Sequence, residues 1–251
     1  MSDQTFRRPI KWESYALTDV GCVRKVNEDA ILEAPEKNMW VVADGMGGHH
    51  VGDVASKKII EGLQQLSIQD SLGDCVEVVE DAILQVNQQL LDYAKEAFGS
   101  QTMGSTVVCL VIVKHIGVCL WAGDSRLYRY RNQQLQQLSR DHSQVAEMVN
   151  MGLISEEEAE IHPHRNVITR AVGVEEELFL ELNIFGVQVG DTYLLCSDGL
   201  YNAVCNQDIE SALSDNNVEE VSIKLLKQAI ENDAQDNVSV IVVKGYPSRL
   251  E

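Results

Sequence analysis

Short runs of apolar, β-branched residues recur along the chain and are bounded by Gly, Asp or Asn. Such runs are typical of β-strands, and several are so continuously apolar that we expect both of their faces to be covered. Lys114 and His115 alone separate two of the runs, which predicts a β-hairpin. The predicted strands are 39–43 (MWVVA), 106–113 (TVVCLVIV), 116–122 (IGVCLWA), 127–130 (LYRY), 192–196 (TYLLC) and 238–243 (VSVIVV).

Apolar residues three and four positions apart predict amphipathic helices between these strands. The longest stripe runs from Val76 to Ala97, and shorter stripes cover residues 55–66 and 218–229. Ser155 followed by Glu158 predicts a capping box that opens another short helix. Because strands come in adjacent pairs instead of alternating with helices, the order favours antiparallel sheets with helices packed outside, an α+β fold.

The length of 251 residues suits one large domain, and no internal repeat or linker-like segment interrupts the chain. We therefore predict a single domain over residues 1–251, with a core from about residue 12 to about residue 245. Residues 143–170 are less apolar than their surroundings. We interpret them as a small helical flap over the sheets.

Charge and composition exclude several classes of partner. Lys and Arg number 20 against 39 Asp and Glu, a formal net charge of -19 at pH 7, which repels nucleic acid and anionic membranes. No apolar run reaches the roughly 20 residues that span a bilayer, and the first residues lack the apolar stretch of a signal peptide. The six cysteines show no C-x-x-C spacing, so we expect neither a zinc site nor a disulfide framework, and a cytoplasmic location. Because no transmembrane segment is predicted, we also expect a free, monomeric protein.

Three of the predicted strands carry a carboxylate at the point where they leave the core. Asp44 and Asp198 each follow a strand and precede a glycine, and Asp236 stands just before the last strand. Each site alone is explained by turn chemistry. Together they suggest one cleft, in which shared divalent cations would offset the cost of burying like charges. Motifs with oxygen ligands and without His or Cys favour Mg²⁺ or Mn²⁺.

The segment from Arg24 to Asp29 adds an arginine just upstream of the acidic pair Glu28 and Asp29. An arginine beside metal-bound carboxylates suits a phosphate, because its planar fork binds two phosphate oxygens. The same residues also fit an ordinary surface salt bridge.

Two more candidate ligands lie beside predicted strands. The glycines after Asp44 would let the backbone approach an ion, with the Gly45 carbonyl as a ligand. Asp124 follows strand 116–122, and it is either a further metal ligand or part of a hairpin turn paired locally with Arg126.

These motifs together resemble those of the metal-dependent protein phosphatases of type 2C, in their compact bacterial form. They occur in the order of that family and span nearly the whole chain, so the set is highly specific although one motif alone would be weak. The matching segments are 24–29 (RKVNED), 42–48 (VADGMGG), 103–106 (MGST), 122–126 (AGDSR), 140–143 (RDHS), 169–173 (TRAVG), 195–200 (LCSDGL) and 236–240 (DNVSV).

The resemblance implies a four-layer α/β/β/α sandwich of two antiparallel sheets flanked by helices. It implies hydrolysis of phosphoserine and phosphothreonine in proteins by a water activated between two Mn²⁺ or Mg²⁺ ions. Asp44 would bridge both ions, and Asp198 and Asp236 would hold one of them. Glu28 and the Gly45 carbonyl would serve the other, partly through waters.

The same resemblance assigns the remaining roles. Asp29 would orient metal-bound water, and Arg24 would bind the substrate phosphate. Bacterial members often bind a third ion, and Asp124 matches its ligand position, with Asp198 nearby. The expected partners are phosphorylated proteins and a eukaryotic-like Ser/Thr kinase that the phosphatase opposes in bacterial signalling.

One position departs from the pattern of many eukaryotic members, in which a histidine follows Asp-Gly and is a candidate general acid. Met46 stands there, so the proton donor to the leaving group is unassigned. We interpret the histidines near the motifs and in the flap as surface or capping residues. They are His49, His50, His142, His162 and His164.

Two other functions fit the sequence less well. A non-catalytic phosphoprotein-binding module is disfavoured because all the main ligand positions are filled. A phosphoesterase for small molecules or nucleic acid is the other, and the acidic surface argues against nucleic acid.

Overall fold

The structure is a computed structural model that describes residues 9–47, 51–67, 71–98 and 103–248. Across these residues the strands are β1 (Ile10–Asp19), β2 (Asp29–Ala34), β3 (Met39–Gly47), β4 (Met103–Ser105), β5 (Val107–Val113), β6 (Ile116–Ala122), β7 (Arg126–Arg131), β8 (Gln134–Gln137), β9 (Glu181–Gly186), β10 (Thr192–Cys196) and β11 (Val238–Pro247). The helices are α1 (Gly52–Gln64), α2 (Leu72–Phe98), α3 (Gln144–Asn150), α4 (Glu156–Glu160), α5 (Asp198–Tyr201), α6 (Asn206–Leu213) and α7 (Val218–Glu231), and a 3₁₀ turn covers Pro35–Lys37.

The strands form two antiparallel sheets that stack face to face. The first has the order β1-β11-β10-β7-β8, and the second has the order β2-β3-β5-β6-β9, with β4 paired to β3. Helices α1 and α2 cover the outer face of the second sheet, and α5, α6 and α7 cover the outer face of the first. The four-layer α+β sandwich that the sequence implied is confirmed.

Strand β3 shows why its sequence is apolar at every position. Met39 and Val41 face α1 and α2 in one buried cluster, whereas Trp40 and Val42 face the other sheet in a second cluster. Alternate side chains of a strand point to opposite faces, so a strand covered on both sides needs apolar residues throughout. The expectation of doubly covered strands is therefore confirmed.

Each predicted strand is present, and the hairpin between β5 and β6 turns at Lys114, whose φ of 58° lies in the left-handed region. The predicted helices correspond to α1, α2 and α7, and the capping box between Ser155 and Glu158 opens α4. The apolar stripe of α2 is buried as far as Leu90, but Tyr93 near its end is 40% exposed.

The strands that sequence analysis did not predict include all four edge strands of the two sheets: β1, β2, β8 and β9. Strand β9 alternates half-buried and exposed side chains, with Ile184 53% exposed. A strand with half-buried and exposed side chains needs fewer apolar residues, so its apolar signal is weaker than that of an interior strand.

Residues 143–170 contain α3 and α4 and lie between β8 and β9 in the chain. An isolated β-bridge joins Ser143 to Ile168, so both ends of this segment meet beside the sheets. A single domain over residues 1–251 and a flap over this segment stay predictions. Among the helices in the described part of the chain, none combines the length and apolar character needed to traverse a bilayer.

Candidate metal centre

Five aspartates from both sheets come together where the strands end. Asp29 and Asp44 are direct register partners on β2 and β3. The negative fields of all four other aspartates act on Asp44, which places one carboxylate at the centre of the cluster. The other members are Asp124, after β6, Asp198, after β10, and Asp236, just before β11.

The backbone of Asp44 is held by Thr106, which lies between β4 and β5. The amide of Asp44 donates to Thr106 Oγ1 (3.1 Å), and the amide of Thr106 donates to the Asp44 carbonyl (2.8 Å). The same hydroxyl lies 2.7 Å from Ser125 Oγ. One threonine therefore ties the central aspartate to the loop that carries Asp124.

Asp29 is buried, and its two carboxylate oxygens have different surroundings. Oδ2 accepts hydrogen bonds from Ser197 Oγ and Ser239 Oγ, both at 2.7 Å. Oδ1 is buried without a hydrogen-bond partner. Because both serines belong to the first sheet and Asp29 to the second, this carboxylate links the sheets with one oxygen and leaves the other for a ligand.

Asp198 and Asp236 are brought together by close backbone packing. A Cβ on Gly199 would lie 2.1 Å from the Asn237 carbonyl oxygen, so glycine alone allows this approach. The Asn237 side chain accepts from the amide of Glu28 (2.8 Å) and donates to the carbonyls of the loop before β2, at Val20 and Val26 (2.9 and 3.0 Å). One buried amide therefore holds the segment of Glu28 against the segment of Asp236.

Glu28, Gly45 and Gly52 form a narrow cradle at the start of α1. A Cβ on Gly52 would lie 2.8 Å from the Gly45 carbonyl oxygen and 2.9 Å from Glu28 Cδ. The amide of Gly45 donates to the Glu28 carbonyl (3.1 Å), and the Ser56 hydroxyl donates to the same oxygen (2.6 Å). The Gly45 carbonyl and the Glu28 carboxyl group therefore lie side by side.

Asp124 is 5% exposed, and its Oδ1 has no hydrogen-bond partner. The alternative of a local pair with Arg126 is wrong, because Arg126 binds Asp141 through Nε (3.0 and 3.1 Å) and Nη2 (2.6 Å). Asp124 instead faces Asp198, whose pKa is raised first by burial and next by the charge of Asp124.

Arg24 lies at the open side of the cluster. Its Nη2 donates to Asp236 Oδ2 at 2.6 Å, and the two side chains are 51% and 33% exposed. The salt bridge that sequence analysis left open is therefore present, and its partner is a candidate metal ligand. An exposed pair of this kind contributes at most about 1 kcal/mol, so a phosphate can compete for the guanidinium.

The electrostatics of the cluster favour protons or cations on its carboxylates. Burial raises the pKa of Asp29 and of Asp124 to about 6. Burial, followed by the charge of Asp29 and of Asp198, raises the pKa of Asp44 well above its ordinary value. Divalent cations offset the same repulsion while the carboxylates stay deprotonated and able to act as ligands.

The residues present fit hard divalent cations such as Mn²⁺ or Mg²⁺. The donors are oxygens, and Asp29, Asp124 and Asp198 each bury an Oδ1 that has no hydrogen-bond partner. Within the described ranges, no three His, Cys, Asp or Glu side chains converge on a single point closely enough to enclose an ion as they stand.

Sequence reasoning missed the residues that hold the ligands, namely Thr106, Ser197, Ser239 and Asn237. Each lies inside one of the motifs quoted above. A hydroxyl or amide side chain within such an acidic motif was the signal that could have identified it.

The interpretation of His142 as a surface or capping residue was wrong, because it is 6% exposed and its ring stacks on Trp121. Its Nδ1 accepts from the amide of Gly123 (3.1 Å), and its Nε2 lies 3.2 Å from Glu181. His164 is exposed as expected. The interpretation of His49 and His50 falls outside the described residues.

A family model described as protein phosphatase 2C matches residues 23–236 of this chain. The chain is also 36% identical over 235 residues to the serine/threonine phosphatase stp of Listeria welshimeri, a match that covers 90% of this chain and 93% of that protein.

Solved structures agree with these sequence matches. PppA, described as a key regulatory component of T6SS in Pseudomonas aeruginosa, has a TM-score of 0.89 and 40% identity, over 96% of this chain and 100% of that chain. The catalytic domain of the serine threonine protein phosphatase PstP, in complex with 2 manganese ions, has a TM-score of 0.86 and 31% identity, over 94% of this chain and 99% of that chain.

Asp124→Asn should change how stability depends on pH. The pKa of Asp124 is about 6 in the folded chain against 3.8 as the ordinary value. Its contribution to stability is therefore fully present below pH 4 and is lost as pH rises through 6. In EDTA the free energy of unfolding of the variant should rise relative to that of wild type by up to about 3 kcal/mol between pH 4 and pH 7. Urea unfolding across this range measures the difference.

With Mn²⁺ present at pH 7, wild type should be more stable to unfolding than Asp124→Asn, because it gains binding energy that the variant lacks. The placement of Asp124 in the cluster would be contradicted if the difference in unfolding free energy between wild type and variant did not change with pH in EDTA and was unaltered by Mn²⁺.

Gly52→Ala should weaken Mn²⁺ binding by displacing the Gly45 carbonyl and the Glu28 carboxyl group. The matched control is Gly73→Ala near the start of α2, where the nearest atom to a new Cβ is 4.0 Å away. The control should be neutral or stabilise by up to about 1 kcal/mol. Calorimetric Mn²⁺ titration and thermal unfolding of both variants test this, and equal Mn²⁺ affinities would refute the cradle.

Proposed function

The chain belongs to the protein phosphatase 2C family, and from this premise we propose that its aspartate cluster is the active site of a metal-dependent protein serine/threonine phosphatase. The observation that carries the proposal is the set of buried, unpartnered carboxylate oxygens around Asp44. Such oxygens are costly to bury without a counter-charge.

The positions of the side chains support the following ligand roles. Asp44 lies centrally and would bridge two cations, with Asp198 and Asp236 on one side. Glu28 and the Gly45 carbonyl would serve the other side, where the cradle beside Gly52 brings them together. Asp124 would hold a third cation with Asp198. When bound, the cations supply a water nucleophile at neutral pH and neutralise charge on the phosphoryl oxygens.

Asp29 and Arg24 would act on the water and the substrate. Ser197 and Ser239 fix one oxygen of Asp29, so the other can accept a hydrogen bond from the attacking water and orient it. Arg24 would exchange its bond with Asp236 for two oxygens of the substrate phosphate, as its planar fork permits.

The reaction is an in-line displacement at phosphorus. A bond forms between the water oxygen and phosphorus, and the bond from phosphorus to the serine or threonine oxygen breaks. The side chain then leaves as an alcohol after taking a proton. Met46 has no proton to donate, so this proton comes from another group or from solvent.

The substrates we propose are phosphorylated proteins, and the partner is a Ser/Thr kinase whose products this enzyme hydrolyses. The unpaired cysteines Cys22 and Cys205 are exposed, which supports a reducing cytoplasm as the location. The expectation of a monomer stays a prediction.

The test of the reaction is phosphate release from a phosphothreonine peptide, in EDTA and with Mn²⁺ or Mg²⁺ added. Wild type should require the metal, and Asp44→Asn should lose at least about a hundredfold in kcat because the bridging charge is removed. Asp92→Asn, an exposed aspartate on α2 that accepts a bond from Gln88, is the matched control and should retain activity. Folded wild type that releases no phosphate across ions and peptides would leave a binding role in place of the enzyme.

Arg24→Ala separates a phosphate contact from a surface salt bridge. If Arg24 grips phosphate, KM should rise about tenfold or more, while the unfolding free energy changes by no more than about 1 kcal/mol. Lys25→Ala, one residue away, is the control for lost positive charge. A KM equal in the two variants would assign Arg24 a structural role alone.

A further inference from the structure

The loop that carries Asp124 is fastened by three side chains. The amide of Gly123 donates to His142 Nδ1 at 3.1 Å, and Ser125 Oγ lies 2.7 Å from Thr106 Oγ1. The Tyr201 hydroxyl donates to the Asp124 carbonyl oxygen at 3.1 Å. The first two contacts hold the neighbours of Asp124, and the third holds the main chain of Asp124 itself.

Tyr201 differs from the other two anchors in the element it comes from. It is the last residue of α5, which begins with Asp198. Residues three apart on a helix lie on the same side, so its hydroxyl joins the helix of Asp198 to the loop of Asp124. Both aspartates bury an Oδ1 without a hydrogen-bond partner.

The ring of Tyr201 is held in place by Arg126. The guanidinium carbon of Arg126 lies 3.5 Å from the ring centroid, a cation–π contact. Asp141 binds the same guanidinium through two nitrogens, and Nη1 donates to the Tyr128 hydroxyl at 2.8 Å. Because the guanidinium is fixed from its edge, it forms a rigid surface that sets the direction of the Tyr201 hydroxyl.

We propose that Tyr201 is a positioning residue for a third divalent cation, holding Asp124 beside Asp198 so that the two carboxylates share it. The inference rests on the proposed function, because that function supplies the cations. Two carboxylates that approach each other repel, and the Tyr201 hydroxyl restrains the loop against this repulsion. Groups that hold metal ligands in place from behind commonly change metal affinity by 10- to 100-fold when they are removed.

A structural role for Tyr201 is the competing explanation, since its ring also packs on the apolar cluster of α6 and α7. Removing the hydroxyl alone distinguishes the two. Tyr201→Phe keeps the ring on Arg126 and deletes the bond to the Asp124 carbonyl. Tyr128→Phe is the matched control, because it deletes the hydroxyl of another tyrosine that touches Arg126, while the bonds from Arg126 to Asp141 still hold the guanidinium under the Tyr201 ring.

The experiment counts Mn²⁺ on metal-stripped wild type, Tyr201→Phe, Tyr128→Phe and Asp124→Ala by equilibrium dialysis, with electron paramagnetic resonance of the bound ions. Wild type should bind three ions, and Asp124→Ala should lose the weakest. Tyr201→Phe should weaken that same site about tenfold and leave the other two within about twofold. Tyr128→Phe should match wild type at all three sites, while both Phe variants shift the thermal midpoint by similar amounts.

Other outcomes overturn the inference. Tyr201→Phe with wild-type affinities, or with all sites weakened equally, would make the tyrosine structural. Wild type that binds two ions would leave no third cation to position, while the proposed function would stand. Wild type that binds no Mn²⁺ at all would overturn both.

Discussion

Repulsion among buried carboxylates is the constraint on which the rest of this structure depends. Asp44 lies in the field of four other aspartates, and bringing such groups together without a counter-charge costs several kcal/mol for each of them. The two stacked sheets offset that cost, because their interior strands are apolar on both faces and the acids lie at or near the ends of those apolar runs. A site of this charge therefore needs a core that is stable without it, together with cations that reverse the sign of the interaction once they bind.

The candidate ligands come from both sheets, so the segments that carry them have to approach more closely than side chains normally allow. Gly199 meets the Asn237 carbonyl, and Gly45 meets the Gly52 carbonyl, at distances where a Cβ would clash. These glycines keep the backbone close and would let the Gly45 carbonyl serve as a ligand. The Asp-Gly pairs that look like turns in the sequence thus have a second reason to contain glycine, and the turn explanation and the metal explanation are compatible.

Interior strands could be predicted from the sequence because cover on both faces makes them apolar throughout, as in β5 and β10. The edge strands β1, β2, β8 and β9 could not, because they mix half-buried or exposed side chains with the buried ones, which dilutes the apolar pattern. The candidate ligands were recognisable as acids at strand ends and by the family motifs. The side chains that hold these acids in place were not recognisable. Ser197 and Ser239 bind Asp29 across the two sheets. His142 is buried by contacts with Trp121 and Glu181 from distant parts of the chain. Such pairings depend on which strands stack, a property that no local pattern contains.

The surroundings of the aspartates also separate their roles. One oxygen of Asp29 accepts hydrogen bonds from two serine hydroxyls, so the direction of the other oxygen is fixed and it is available to a ligand. Asp44 is held through its main chain by Thr106. A bridging ligand needs two available oxygens, whereas a group that orients a water needs one oxygen in a fixed direction. The different supports agree with the proposed roles, in which Asp44 would bridge cations and Asp29 would orient a water, although the two aspartates are paired on adjacent strands.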